Sequence, residues 1–184
     1  EAMTKCLFST EIIGDVPACS EYTNIEWRNI GKDEIKWESN TGYRLVQGSG
    51  VARGRIFLLF AGPLRQIMGT EFFPTQDFFK GCIIMLEIGL PYGSALAGLH
   101  DLRALDAAGM FREAAAIMTG KLSEEEEKML VKFLRYEAQR EEIPVLSNVD
   151  FVHRTPMTVI PIGAMAEIDC SRAAFKIVES GVVE

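Results

Sequence analysis

The chain has 184 residues, of which 48% are hydrophobic and 24% charged, and its formal net charge at pH 7 is -7. This length and composition fit one folded domain and exclude a disordered chain. The acidic balance argues against a nucleic-acid partner, because such binding needs lysine and arginine to neutralise phosphates. No apolar stretch reaches the roughly 20 residues of a membrane span, so we expect a soluble, cytoplasmic protein without a membrane partner.

The first residues contain a short apolar piece followed by Gly14 and Pro17. Glycine and proline interrupt helices and strands, so this pattern predicts an arm over residues 1–19 rather than an element of the core. The folded domain is then expected to occupy residues 20–184.

The stretch from Ser20 to Asn40 is polar and shows no period of 2 or 3.6 residues, which predicts a long loop. It carries both tryptophans of the chain, Trp27 and Trp37. These rings could stack on a substrate, or they could anchor the loop against the domain.

Strand-forming residues follow in three places. Tyr43 to Val46 and Arg55 to Phe60 are rich in β-formers and are separated by a glycine-rich turn. Cys82 to Leu86 is an apolar run with the length of a strand buried on both faces. This run ends at Glu87, so the sequence places a carboxylate where a core strand gives way to a loop.

Two helices and a short strand are predicted next. Leucines recur at helical spacing between Ser94 and Ala108. A short strand is expected over Ala114 to Met118. Ser123 followed by Glu126 forms a capping box, which predicts a second helix continuing to about Glu141.

The C-terminal part predicts one more core strand and a hairpin. Pro144 to Val149 has strand composition, and residues 150–156 form the loop after it. The tail alternates over Ala164 to Asp169 and Phe175 to Val178, as in a hairpin. Helices alternating with strands predict an α/β domain, in which ligands bind beyond the carboxyl ends of the strands.

Histidine is the side chain best suited to proton transfer near neutral pH, and the chain has two. His100 falls within a predicted helix and needs no role beyond packing or solvation. His153 lies in the loop after a core strand, where functional residues concentrate. Glu87 could be a strand-end charge facing water, or it could orient an imidazole through its N–H group.

No nucleophile stands out. Ser49 lies in a turn that no helix follows, and Ser94 and Ser123 are explained as helix N-caps. The cysteines form no pair at metal-ligand spacing, so no zinc site is indicated and they are interpreted as reduced thiols. They are Cys6, Cys19, Cys82 and Cys170.

The segment from Ile143 to Asp169 resembles the C-terminal signature of the LD-carboxypeptidase family. There a short strand leads into an F-G-H-T-x-P loop, a P-x-G turn and a final hairpin. Here the loop reads Phe151-Val152-His153-Arg154-Thr155-Pro156 and the turn reads Pro161-Ile162-Gly163. The family's order also holds for the earlier segments 42–50, 69–74 and 83–87.

In that family the loop histidine is the base of a Ser-Glu-His triad, and the glutamate that ends the core strand orients it. The resemblance therefore assigns these roles to His153 and Glu87. It places the nucleophilic serine in an N-terminal domain that precedes this chain, and it makes residues 1–19 the crossover between the domains. It further implies a swivelling β/β/α-type domain with a mixed sheet, flanking helices and a C-terminal hairpin. No cofactor is expected, and the full-length protein is expected to be a homodimer.

Three residues or segments depart from the family pattern. The glycine before the histidine is Val152, and the threonine after it is Arg154. A Gly-Gly-Asn motif is replaced by the segment 60–63. These replacements indicate either a divergent specificity or lost activity.

The long loop with Trp27 and Trp37 is similar to the microcin-immunity branch of the family. That branch cleaves an amide bond in peptidyl or aminoacyl nucleotides, and the resemblance implies that a tryptophan stacks on the nucleotide base. The other branch cleaves LD-muropeptides, and both substrates stay open.

The expected function is therefore that of a serine carboxypeptidase or amidase domain, silent by itself because the serine is supplied from elsewhere. Two alternatives remain. One is a non-catalytic binding or regulatory domain with a degenerate site. The other is a phosphohistidine-type carrier that uses His153 as the phosphoryl acceptor.

Overall fold

The computed structural model describes residues 2–24, 31, 34–88, 95–152 and 155–182. In chain order, the α-helices are α1 (Ala2–Phe8), α2 (Ala61–Gln66), α3 (Ala95–Ala107) and α4 (Glu124–Lys132). The strands are β1 (Gly14–Val16), β2 (Glu21–Tyr22), β3 (Glu38–Ser39), β4 (Arg44–Gln47), β5 (Val51–Phe60), β6 (Ile83–Glu87), β7 (Ala116–Thr119), β8 (Val145–Ser147), β9 (Met165–Asp169) and β10 (Ala174–Ile177).

Eight of these strands form one mixed sheet in the order β1-β10-β9-β5-β6-β7-β8-β4. The four central strands, β5 to β8, run parallel, and the strands on both flanks are antiparallel to their neighbours. In the parallel part Phe60 lies opposite Glu87, and Leu86 lies opposite Thr119. The carboxyl ends of β5, β6 and β7 therefore meet at one edge of the sheet.

Side chains of β6 alternate between two hydrophobic clusters, as expected for a strand buried on both faces. Ile84 and Leu86 pack with α2, α3 and α4, in a set that we call the helix-side cluster. Ile83 and Met85 pack with Cys6 of α1 and with the segment after β8, in a set that we call the arm-side cluster. The apolar run that the sequence predicted as a buried strand is thus the middle of the core.

The predicted helices are present, with one difference. The helix predicted from Ser94 to Ala108 spans Ala95–Ala107, and Ser94 itself lies outside the described residues. The capping box is formed, because Ser123 Oγ accepts from the Glu126 amide and the Glu126 carboxylate accepts from the Ser123 amide. The helix predicted to reach Glu141 leaves α geometry at Phe133 and continues as a π-helical turn to Glu137. In this turn the Ala138 amide donates to the Phe133 carbonyl, five residues back.

The N-terminal arm is packed more closely into the domain than the sequence indicated. It contains α1 and β1, and β1 extends the sheet by pairing with β10. Cys6, Ile13 and Val16 are buried in the arm-side cluster. Apolar residues this widely spaced carry no periodic signal, which is why the sequence predicted no core element here. The role of residues 1–19 as an inter-domain crossover stays a prediction.

None of the helices in the described residues is long and apolar enough to cross a membrane. All four cysteines are free thiols, in agreement with the sequence interpretation. Cys19 is partly exposed, whereas the other three are buried.

Candidate active site

Glu87 lies at the carboxyl end of β6, directly beside Phe60 at the end of β5. The four preceding residues of β6 are buried and Glu87 is half-buried. Because Ile83 and Met85 face the arm-side cluster, Glu87 is next on that face in the alternation of the strand. The sequence prediction of a carboxylate at the exit of a core strand is therefore correct in position, while its role stays a prediction.

The neighbouring strand β7 ends one step further along the same edge, at Thr119 and Gly120. Here the chain leaving β8 folds back over β7. The Val149 amide donates to the Thr119 carbonyl at 3.0 Å, and the Asn148 amide donates to the Gly120 carbonyl at 3.3 Å. The loop after β8 is thereby drawn toward the strand that ends in Glu87.

His153 and Arg154 lie outside the described residues. The chain on either side of them is held at two points. Val152 contacts Gly120, where a Cβ atom placed on the glycine would lie 2.6 Å from Val152 Cγ2. Thr155 pairs with Thr23, with N to O distances of 2.8 and 3.4 Å. The segment that carries His153 thus begins against β7, at the same sheet edge as Glu87.

Asp150 ties this loop to the N-terminal arm and to the polar loop. The residue is 8% exposed, and its carboxylate accepts hydrogen bonds from the Cys19 amide at 2.6 Å and from Asn40 Nδ2 at 3.1 Å. Its carbonyl accepts from the Thr158 amide at 2.8 Å. Asn148 Nδ2 donates to Asn40 Oδ1 at 2.8 Å, so the same region is tied twice to residue 40. A buried carboxylate with two charge-assisted hydrogen bonds is a strong anchor.

The Asp150 charge also acts on two groups next to it. Burial raises the pKa of the Cys19 thiol, and the nearby Asp150 carboxylate raises it further. Burial likewise raises the pKa of Tyr43, with smaller contributions from Asp150 and Cys19. The Tyr43 hydroxyl is buried and has no hydrogen-bond partner among the described residues. Cys19 and Tyr43 are therefore held in their neutral forms near pH 7.

The polar loop with the tryptophans reaches this edge of the sheet. Trp27 lies outside the described residues, whereas Trp37 is described and 50% exposed. Trp37 precedes β3, which pairs with β2 so that Tyr22 lies opposite Glu38. Lys121, just after β7, places its Nζ atom 3.5 Å from the centroid of the Tyr22 ring. Binding of substrate by either tryptophan stays a prediction.

The sequence analysis missed Lys121 and gave Asp150 no role. Glu87 and His153 were found because polar residues directly after a buried strand are candidates for a site. The same criterion applies to the positions after β7, Gly120 and Lys121. The role of Asp150 had no sequence signal, because its partners Cys19 and Asn40 are 131 and 110 residues away.

Other features of the described residues lie away from this edge of the sheet. A groove of about 760 Å³ between α3 and α4 is lined by Leu99, Met129 and Phe133, which pack on the helix side of the sheet, opposite to Glu87. No group of three or more potential ligand residues in the described part of the chain could hold a metal ion. Ser49 lies before β5, at the far end of that strand from Phe60, and Ser123 is occupied as a helix cap.

Comparison with known proteins places this geometry in a family. The family model described as LD-carboxypeptidase C-terminal domain matches residues 60–168, more than half of the chain. A candidate carboxypeptidase of Treponema pallidum (strain Nichols) is 25% identical over 182 residues, which cover 94% of this chain and 51% of that protein. The chain thus spans about half the length of the curated relative that it matches.

Solved structures show the same fold. The MccF-like protein of Streptococcus pneumoniae superposes with a TM-score of 0.80 at 18% identity, covering 97% of this chain and 56% of that chain. The microcin C7 self-immunity protein MccF gives 0.78 at 23% identity, covering 95% and 52%. The MccF-like protein of Bacillus anthracis strain Ames gives 0.75 at 24% identity, covering 90% and 51%.

These likenesses confirm the predicted fold class, an α/β domain with a large mixed sheet, flanking helices and a C-terminal hairpin. Of the segments that carried the sequence resemblance, 69–74, 83–87 and nearly all of 143–169 fall within the region that the family model matches, whereas 42–50 precedes it. The chain therefore belongs to the LD-carboxypeptidase C-terminal domain family.

Proposed function

We propose that this chain supplies two members of a Ser-Glu-His triad, His153 as general base and acid and Glu87 as the carboxylate that orients it. The serine comes from outside residues 1–184, in the half of the family's length that this chain does not span. The active unit hydrolyses an amide bond, and this chain alone is catalytically silent. The full-length protein is a homodimer in this proposal.

One observation carries the proposal. Glu87 ends β6 at the same sheet edge where the loop leading to His153 crosses the end of β7. Strands of a sheet are about 4.8 Å apart, so one strand spacing separates the end of β6 from the point where that loop is seated. Side chains that extend from neighbouring strand ends can meet across this spacing, which supports the pairing of Glu87 with His153.

The chemistry follows from these two side chains. A carboxylate that accepts the imidazole N–H fixes the tautomer and stabilises the imidazolium that forms when histidine takes the serine proton. The histidine then returns that proton to the leaving amine. Half-burial of Glu87 strengthens its attraction to the imidazolium, because less water screens the pair.

The scissile bond belongs either to an LD-muropeptide or to a peptidyl or aminoacyl nucleotide, and we favour the nucleotide. Two structural neighbours have been solved with nucleotide-like ligands, the Streptococcus pneumoniae protein with AMP and the microcin C7 self-immunity protein with aspartyl sulfamoyl adenosine. In this chain Trp37 is half-exposed and precedes β3, and Lys121 Nζ lies over the ring of Tyr22 in the paired strand β2. An indole can stack on a base and a lysine can pair with a phosphate.

The alternative is a non-catalytic binding or regulatory domain. The residues that differ from the family motif favour it, because Val152 and Arg154 flank His153 on both sides. Phe60, at the start of the segment that replaces the Gly-Gly-Asn motif, lies directly beside Glu87.

Hydrolysis by the full-length gene product distinguishes the two functions. We expect release of the amino acid from an aminoacyl sulfamoyl adenosine or from an LD-muropeptide. Glu87→Gln and His153→Ala should each lower kcat by about 10³-fold or more, as for other triads. His100→Gln, on the exposed side of α3, is the matched control and should leave kcat unchanged. An inert full-length protein would establish the non-catalytic alternative, and an active one that is indifferent to Glu87→Gln would overturn the role of Glu87 in the triad.

A further inference from the structure

Val152, the residue before His153, has a backbone φ of 70°. This left-handed conformation is open to glycine but strained for a β-branched side chain, whose Cβ substituents crowd the backbone. Such strain persists only where the surrounding structure holds the residue in place. The structure must therefore contain contacts that keep Val152 in this conformation.

Those contacts are visible at Gly120. A Cβ atom on Gly120 would lie 2.6 Å from Val152 Cγ2, 3.6 Å from Val152 Cγ1 and 3.2 Å from the Phe151 carbonyl oxygen. The isopropyl group of Val152 thus fills the space in which a side chain at position 120 would stand. Val152 is also partly buried against the arm-side cluster. Its side chain is seated in a gap that only glycine at position 120 leaves open.

We propose that Val152 is a positioning residue, whose side chain, seated on Gly120, fixes the backbone from which His153 reaches Glu87. The inference rests on the proposed roles of His153 and Glu87. A glycine at position 152 would adopt φ of 70° without strain but would have no side chain to seat. In this chain the packing of Val152 against Gly120 holds the positive φ that glycine would adopt without strain. Position 120 must therefore stay glycine.

The test is the ring titration of His153 in the 184-residue chain, followed by NMR. With two histidines in the sequence, the His153 resonance is identified by its loss in His153→Gln, and His100 on α3 serves as an internal reference for folding. In the otherwise unchanged chain, Glu87→Gln should shift the titration midpoint of His153 downward, because a nearby carboxylate favours imidazolium. The size of that downward shift reports how closely the two side chains are held.

The positioning variants test whether that shift depends on the packing of Val152 against Gly120. Gly120→Ala places a methyl group in the space that the Val152 side chain occupies. Val152→Ala removes the isopropyl group from that space while keeping a Cβ at the strained φ. Either change should abolish the effect of Glu87→Gln on the His153 midpoint. Adding Val152→Gly to Gly120→Ala removes the collision but also the side chain that packs on position 120, so the effect of Glu87→Gln should stay abolished. If Gly120→Ala does not fold by circular dichroism, Val152→Ala decides.

The outcomes separate the two claims. An undiminished Glu87→Gln shift in Val152→Ala, or in a folded Gly120→Ala, would overturn the positioning role and leave the triad standing. Absence of any Glu87→Gln shift in the unchanged chain, together with a displaced His153 resonance in Val152→Ala, would overturn the pairing with Glu87 but support the packing of Val152 against Gly120.

Discussion

The backbone amide of Cys19 donates a 2.6 Å hydrogen bond to the carboxylate of Asp150, so the N-terminal arm holds the loop that leads to His153. Asn40 Nδ2 donates to the other oxygen of the same carboxylate. Arm, polar loop and histidine loop therefore meet at one buried charge. A change at Asp150 should disturb all three.

Asp150→Ala should destabilise the domain. It leaves the half-buried Cys19 amide and Asn40 amide group without their acceptor, and hydrogen bonds to a charged group are each worth about 1.5–3 kcal/mol. We expect the free energy of unfolding in urea to fall by about 3 kcal/mol. The control is Asp15→Ala on the exposed face of β1, which should change it by less than about 0.5 kcal/mol. Equal effects of the two substitutions would show that Asp150 is not an anchor.

Cys19 should react slowly with alkylating agents. Burial and Asp150 both raise the pKa of this thiol above its ordinary value of 9.0. At pH 8 less thiolate is then present than in a free cysteine, and the thiolate is the nucleophile. Iodoacetamide labelling followed by peptide mass spectrometry should show slower modification of Cys19 than of a free thiol. Asp150→Asn removes one cause of the raised pKa and should speed the reaction, whereas an unchanged rate would contradict the coupling.

Tyr43 should make the domain sensitive to alkaline pH. Because burial raises the pKa of Tyr43 above the 10.0 of an unfolded tyrosine, its neutral form is stabilised in the folded state. That stabilisation is complete below pH 10 and is lost as pH rises through the raised value. The free energy of unfolding should therefore fall above pH 10.

Tyr43→Phe should make that alkaline fall shallower. At pH 7 the substitution should change the free energy of unfolding by less than about 1 kcal/mol, because the buried hydroxyl it removes has no partner among the described residues. The matched control is Tyr136→Phe, where the side chain is 77% exposed. A steep alkaline fall that persists in Tyr43→Phe would assign it to other groups.

The fold and part of the site follow from simple sequence signals. The run from Cys82 to Leu86 predicted a strand buried on both faces, and Glu87 falls at its end because a carboxylate does not enter such a core unpaired. The positive φ of Val152 had no such signal, because valine is among the residues least expected there. The hydrogen bond of Cys19 with Asp150 joins residues 131 apart, and pairing at that separation leaves no local pattern.

Trp37 provides a test of the substrate class. If its ring stacks on a nucleotide base, Trp37→Ala in the full-length gene product should raise KM for an aminoacyl sulfamoyl adenosine by about 10-fold, since stacking on one base is worth about 1–3 kcal/mol. The kcat for that substrate and the KM for an LD-muropeptide should stay unchanged. A KM that rises for the muropeptide and not for the nucleotide would reverse the preferred substrate.

The most direct test of the central claim is a double-mutant cycle between Glu87→Gln and His153→Ala in the full-length gene product. Residues that act as one catalytic unit give non-additive losses. We predict that the double variant has the same residual kcat as His153→Ala alone, because an orienting carboxylate has nothing to act on without the imidazole. Losses that multiply, so that the double variant is slower than His153→Ala by the full factor of Glu87→Gln, would contradict the account.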